Sequence, residues 1–435
     1  MDIDQPSRER LRLATLICAH IMICCVSLIF VARFAYPGAF DPTTFHVFYN
    51  PDRLYGAIAV AVVFGLVSSL FVFARFSFGY FVGFYLYTMI LGYLWINSFS
   101  DMDYNHHRAG FSAAGSAIAF LLPALFICAP VRQRYVLSAT AFNRLLMSIL
   151  ILGVAIVAIG AAYNFRFVAI ENINDFREKI ESPTILRYLI GITSSTLLPF
   201  AFAGFAACKA YWRAGAVLIL LLLFYPITLS KLALFTPFWL VFMLSLTKFV
   251  EARTVVVLSR LLPMLAGVVL ISLFKAHAAQ YFSIVNFRMV TIPAIAMDFY
   301  NDFFSRHDLT HFCQISGLKR IMHCPYQDPL SIVMHGAYKL GYFNASLFAT
   351  EGIASVGGLF APITALMCGL VFALGNRLSA GLPAGFVLIS GAILPQVLLD
   401  IPLSTALVTH GAGILFLLWY ITPRKVFQAA ARPNN

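Results

Sequence analysis

The chain has 435 residues, of which 61% are hydrophobic and only 11% charged, with a mean hydropathy of +0.85. A soluble chain carries about 25% charged and about 45 to 50% apolar residues, so a water-soluble domain is excluded and the chain reads as a polytopic membrane protein. The formal charge of +12 would suggest nucleic acid in a soluble chain. Here the basic clusters are short and flank apolar stretches, so the charge reads as topology and no nucleic acid is expected.

Crossing a hydrocarbon core takes about 17 to 25 apolar residues. In chain order the expected spans are Leu13–Phe34, Leu54–Ala74, Phe78–Phe99, Gly110–Ala129, Leu145–Tyr163, Ile185–Cys208, Ala214–Leu229, Leu232–Thr247, Leu261–Phe274, Ala354–Gly375, Leu382–Leu399 and Leu403–Ile421, twelve in all. The expected fold is therefore all-α, one integral membrane domain over residues 1–435. The first run follows a basic head, but it is too long for a signal peptide and lacks a small-residue cleavage site, so it reads as a retained helix. The three runs between Ala214 and Phe274 are short or closely spaced, which suits kinks or one re-entrant segment. Gly and Pro interruptions do not recur at matching places in two halves, which weighs against an inverted-repeat transporter.

Orientation follows from Lys and Arg in the flanks. With the N-terminus inside, sixteen fall on cytoplasmic flanks and eight on short outer loops and span ends, with six more in a long outer segment. Both termini are expected in the cytoplasm.

Two outer segments are polar enough for chemistry. Residues 164–183 read NFRFVAIENINDFREKIESP, and residues 275–353 form a segment of 79 residues holding His277, His307, His311, His323 and His335. A connection that long tends to be functional or disordered, and its aromatic clusters argue for order. The part from Asn286 to Phe304 mixes apolar and polar residues around Pro293, as an interfacial helix pair would.

His307 and His311, or His106 and His107 near Asp101 and Asp103, could bind metal, but no third ligand stands at a familiar spacing. Solvated or hydrogen-bonded histidines and no metal are expected. Cys313 and Cys324 lie in the long outer segment, where an oxidising exterior would let them pair; two buried thiols are the alternative. The other six cysteines lie within or beside apolar runs. No P-loop or Gly-x-Ser-x-Gly elbow is present.

Arg166, Arg177, Arg288, Arg306 and Arg320, with Lys231, occur on the outer side among dense aromatics, a combination suited to holding a diphosphate against carbohydrate. Each arginine could instead pair locally, Arg177 with Asp175 or Glu181 and Arg306 with Asp302. Lys231 sits in LSKLAL between two apolar stretches, where a charge marks a functional site by default unless it snorkels at a short turn.

NDFREKI in the first outer loop, Ser230-Lys231 between close helices, and a long outer segment opening near NFRMVTIP and ending in NASLFATEGIASVGG (Asn344 to Gly358) together resemble the bacterial oligosaccharide repeat-unit polymerases of the O-antigen polymerase type. The resemblance covers Asn164 to Leu374, about half of the chain. It implies polymerisation of polyprenyl-diphosphate-linked oligosaccharides at the outer face of the bacterial cytoplasmic membrane, without nucleotide sugar, metal or other cofactor. The implied partners are those lipid-linked oligosaccharides, membrane lipids and a chain-length regulator. Such chemistry needs a base near the attacking hydroxyl and cations on the departing diphosphate. The candidate cations are Arg177, Lys231 and Arg288; the candidate bases are Glu351 and then His311. Glu351 could equally serve a helix N-terminus as an acidic charge. An O-antigen ligase-like enzyme, a lipid-linked oligosaccharide flippase and a scaffold protein are the other classes considered.

Overall fold

The computed structural model describes residues 5–36, 39–169, 173, 176, 180, 182–315, 317–340 and 344–431. Among them there is no β-strand. Among the described residues nine helices are long and apolar enough to cross a membrane, and Lys231–Leu246 and Ala412–Ile421 are shorter apolar helices. The chain is a multi-pass membrane protein built of helices. It divides into two compact units: unit one holds Met1–Ile127, Arg253–Ala373 and Gln396–Ser404, and unit two holds Cys128–Ala252, Leu374–Pro395 and Thr405–Asn435.

In unit one, α1 (Gln5–Arg33), α2 (Pro51–Phe73), α3 (Phe78–Ile96) and α4 (His106–Phe126) come first. Every residue of α3 is buried, as expected of a helix that is apolar all round. Ser77 caps α3 by accepting from the Tyr80 N–H at 3.1 Å, and two glycines let neighbours approach it. A Cβ at Gly83 would lie 2.8 Å from Leu121, and one at Gly92 would lie 2.9 Å from Val290. By contrast α2 exposes Val62, Val63, Leu66 and Phe73, apolar surface that a bilayer would cover.

In unit two, α5 (Ala139–Tyr163), α6 (Thr184–Ala207), α7 (Tyr211–Thr228) and α8 (Lys231–Leu246) pack around Gly160, where a Cβ would meet Ile227 at 2.9 Å. Phe142, Phe200, Phe386 and Phe427 form an aromatic cluster with centroids 4.8 to 6.2 Å apart.

Three stretches depart from the expected spans. α9 (Ala252–Phe274) continues through a tight turn, Lys275–Ala278, and a wide helical turn, Ser283–Thr291, into α10 (Ile292–Phe304), so that helix persists to Phe304. Twelve residues of α10 are buried. The polar residues that made this stretch look interfacial find partners inside: Asn286 Nδ2 donates to Ser27 Oγ and to the Met264 carbonyl, both at 2.8 Å. Farther on, α11 (Leu330–Tyr338) precedes α12 (Ser355–Ser379). The continuous spans expected over Leu382–Leu399 and Leu403–Ile421 are instead broken into α13 (Ala384–Ser390), α14 (Leu394–Val397), α15 (Leu403–Val408) and α16 (Ala412–Ile421). Gly391, Pro402 and Gly411 stand in the breaks, Gly411 at φ +77°. Irregular backbone at membrane depth survives where protein surrounds it, and Ala392, Ile393, Leu394, Leu398 and Leu399 are all buried.

Arg260, which by sequence counts among the cytoplasmic charges, is fully buried within α9. Its guanidinium donates to the Met289 carbonyl at 2.9 Å and lies 4.7 Å from the Tyr85 ring centroid. Removing it from the flanks leaves fifteen charges against eight.

Candidate functional site

Unit one carries a cleft of about 380 Å³, lined by Tyr104, Asn105 and Arg108, by Asn301 and Ser305, and by Ile353, Val356 and the Gly357–Gly358 pair. Asn105 caps α4 by accepting from the Arg108 N–H at 2.9 Å, a capping arrangement that fixes the first turn and leaves the Arg108 side chain exposed. Gly357 takes φ +74°, a left-handed conformation suited to glycine. The backbone kinks there, and the Gly358 carbonyl accepts from Ser112.

Below the cleft lies a polar network. Asp298, fully buried on α10, accepts from Ser100 Oγ at 2.6 Å and from the Tyr104 hydroxyl. Tyr104 lies 3.2 Å from the Tyr93 hydroxyl, which in turn accepts from Asn301 Nδ2 at 3.0 Å. Burial first, then the neighbouring Tyr93 and Asp298, pushes the Tyr104 pKa well above its ordinary value, so Tyr104 stays a donor. One helical turn on, Asp302 accepts from Arg306 and from the Tyr338 hydroxyl at 2.6 Å, which ties α11 to α10. Arg306 thus makes the local pair with Asp302, and its Nη1 also lies 3.8 Å from Asp103 Oδ2.

Glu351 lies in a wide helical turn, Phe348–Ala354, and is 8% exposed. Its Oε1 accepts from the Ser404 N–H at 3.0 Å and the Ser404 hydroxyl at 3.1 Å, and its Oε2 from Thr350 Oγ1 at 2.6 Å. Both carboxylate oxygens are thus engaged by donors of the protein itself. Glu351 is not among the cleft-lining residues. His311 is exposed at φ +46°, followed by Phe312 at φ +67°. Its N–H donates to the Ser355 carbonyl at 3.2 Å, and the Thr310 N–H donates to the Ala354 carbonyl at 2.8 Å. The loop bearing His311 is thereby fastened to the start of α12. Arg288 is exposed in the wide turn Ser283–Thr291, within electrostatic reach of Asp400, as is Arg260. Unit one therefore holds Glu351, His311 and Arg288.

Lys231 belongs to unit two, where it begins α8, half-buried, directly after Ser230. Arg177 lies outside the described residues. Cys313 and Cys324 form a disulfide. His106 is hydrogen-bonded to Asn97 Oδ1 at 2.8 Å and to the Met102 carbonyl at 2.9 Å, and His307 is bonded to the Phe303 carbonyl at 2.8 Å and stacks on Phe303.

Arg108, Tyr104 and the buried pair Asp298 and Asp302 did not stand out as site residues in the sequence. The signal for the two aspartates was there, since acids four apart in an otherwise apolar run share one helix face and are costly unless functional or paired. Comparison with protein-family models, curated proteins and solved structures finds no match for this chain.

Proposed function

We infer that the chain is a multi-pass glycosyltransferase that joins polyprenyl-diphosphate-linked oligosaccharide repeat units at the outer face of the bacterial cytoplasmic membrane, with both termini inside. The observation that supports this best is the closure of the long segment on itself. Backbone hydrogen bonds from Thr310 and His311 to Ala354 and Ser355 fasten a histidine-bearing loop to the segment that supplies the Gly357–Gly358 wall of a cleft also lined by Arg108, Tyr104 and Asn301.

In the reaction, an acceptor hydroxyl attacks the anomeric carbon of the donor chain, the bond from that carbon to the diphosphate oxygen breaks, and polyprenyl diphosphate departs with the bonding electrons. The hydroxyl proton passes to a base. Of the two candidates His311 is the better placed, because both oxygens of Glu351 already accept structural hydrogen bonds. Arg108 and Arg288, both in unit one, are the cations for the diphosphate in this reading, a guanidinium being able to hold two of its oxygens at once. Membrane lipids and a chain-length regulator are the partners this reading carries.

A lipid-linked oligosaccharide flippase is the second reading, favoured by one observation: Arg260 is a fully buried charge within a helix. Gel analysis of surface polysaccharide in a deletion strain separates the two. A polymerase leaves a single repeat unit on the surface and no ladder, whereas loss of all units indicates a flippase or a ligase.

A further inference from the structure

Unit two carries a second, partly open cavity of about 390 Å³, lined among others by Asn164, Ser194, Thr228, Thr236, His410 and Arg187. The first four of these have spent their protons on the protein. Asn164 Nδ2 donates to the carbonyls of Pro226 at 3.1 Å and Ile227 at 3.0 Å. Ser194 donates to the Ile190 carbonyl at 2.7 Å, Thr228 to Phe224 at 2.8 Å and Thr236 to Leu232 at 2.7 Å. Each keeps an oxygen that can only accept.

His410 follows the same pattern. Thr409 donates its single proton to the Thr405 carbonyl at 2.8 Å, so at the 3.0 Å contact with Thr409 Oγ1 the His410 Nδ1 carries the hydrogen. The ring also hydrogen-bonds the Thr405 backbone, and its other nitrogen can accept. Asn164 Oδ1 has no partner among the described residues.

Such a lining selects its ligand by charge and by proton count. A bare phosphate brings only acceptors: Arg187 and the hydroxyls of Ser182, Ser195 and Ser230 could meet it, but the oxygens of Asn164, Ser194, Thr228 and Thr236 would be left without donors. A hydrocarbon chain would leave these acceptors without donors. A sugar ring brings several O–H donors, and its apolar C–H face can lie on an aromatic side chain such as Tyr163, which also lines the cavity. The volume falls in the range of about 300 to 1,000 Å³ usual for small-molecule sites.

We propose that this cavity binds a saccharide, whose hydroxyl groups donate to Asn164, Ser194, Thr228, Thr236 and the His410 ring. It deepens the proposed function and rests on it only for the identity of the sugar, the oligosaccharide of the repeat unit. The test uses full-length protein in lipid nanodiscs and, as probe, the repeat-unit oligosaccharide released by mild acid from the strain's own lipid-linked pool. Saturation-transfer NMR and a titration read binding without any turnover. The wild type should bind, and Thr228→Val and Thr236→Val, which keep the side-chain shape, should each weaken binding about fivefold, the value of one neutral hydrogen bond. Ser245→Ala, whose hydroxyl is bonded to the Val241 carbonyl and does not line the cavity, should bind as the wild type does. No binding to folded wild type, or equal binding by all variants, overturns the proposal. Binding by a chain whose deletion leaves the polysaccharide ladder intact would remove the polymerase reading and keep the saccharide site. A deletion that abolishes the ladder, with Thr228→Val and Thr236→Val binding unchanged, would do the reverse.

Discussion

Glu351 holds Ser404 by two hydrogen bonds to one carboxylate oxygen, from the backbone N–H at 3.0 Å and from the hydroxyl at 3.1 Å, across 53 residues of sequence. The acid therefore fastens the segment Gln396–Ser404 to the rest of unit one. Glu351→Gln should lower stability by about 1.5 to 3 kcal/mol, the range for hydrogen bonds to a charged group, and leave polymer length nearly intact once protein levels are matched. A base contributes roughly 10² to 10⁴ in rate. Abundant, folded Glu351→Gln protein with no polymer would make Glu351 the base.

His311→Gln should behave in the opposite way. The His311 side chain is exposed and its backbone N–H is kept in the variant, so stability in a thermal melt should change little while polymer formation falls by about 10² or more. Wild-type chain length in His311→Gln would remove the histidine from the site.

Tyr338 donates to the buried Asp302 at 2.6 Å, and burial first, then Asp302, raises its pKa. A raised pKa means that this contribution to stability is complete below the ordinary tyrosine value of 10.0 and is lost only as pH climbs through the higher folded value. Tyr338 should thus be missing from the phenolate absorbance that appears between pH 9 and 11 in the folded protein, so Tyr338→Phe should leave that signal unchanged while lowering stability by about 1.5 to 3 kcal/mol. A drop in phenolate signal in Tyr338→Phe would contradict the contact.

The Cys313–Cys324 disulfide spans a sequence separation of 11, and closing a loop of that size is worth about 3 kcal/mol on the chain-entropy account. Membranes treated with a thiol-reactive polyethylene glycol under denaturing conditions should show two more modified cysteines after reduction than before. Equal labelling would mean free thiols and would remove one support for placing this segment outside.

Much of the fold was legible because apolar runs of about 20 residues have few alternatives: the expected spans Phe78–Phe99 and Leu145–Tyr163 overlap α3 and α5 closely. The segment from Asn286 to Phe304 was harder to read because amphipathic patterning does not say whether the polar face meets headgroups or a protein interior. Asn286, Asp298 and Asn301 meet the interior. Arg260 misled for a related reason: an arginine near an apolar run counts as a flank until its neighbours are known. Of the site, the Asn344 to Gly358 stretch led to Gly357 and Gly358 on the cleft wall, whereas Arg108 and Tyr104 reach the cleft through tertiary packing that no local spacing encodes.

The most direct test of the central claim is reconstitution of the purified chain in proteoliposomes with polyprenyl-diphosphate-linked repeat units on the outer leaflet, measuring polymer and free polyprenyl diphosphate together. The account predicts one polyprenyl diphosphate released for each new glycosidic bond, with no added nucleotide sugar. Movement of the lipid-linked unit across the bilayer without bond formation, or no product from folded protein, would contradict it.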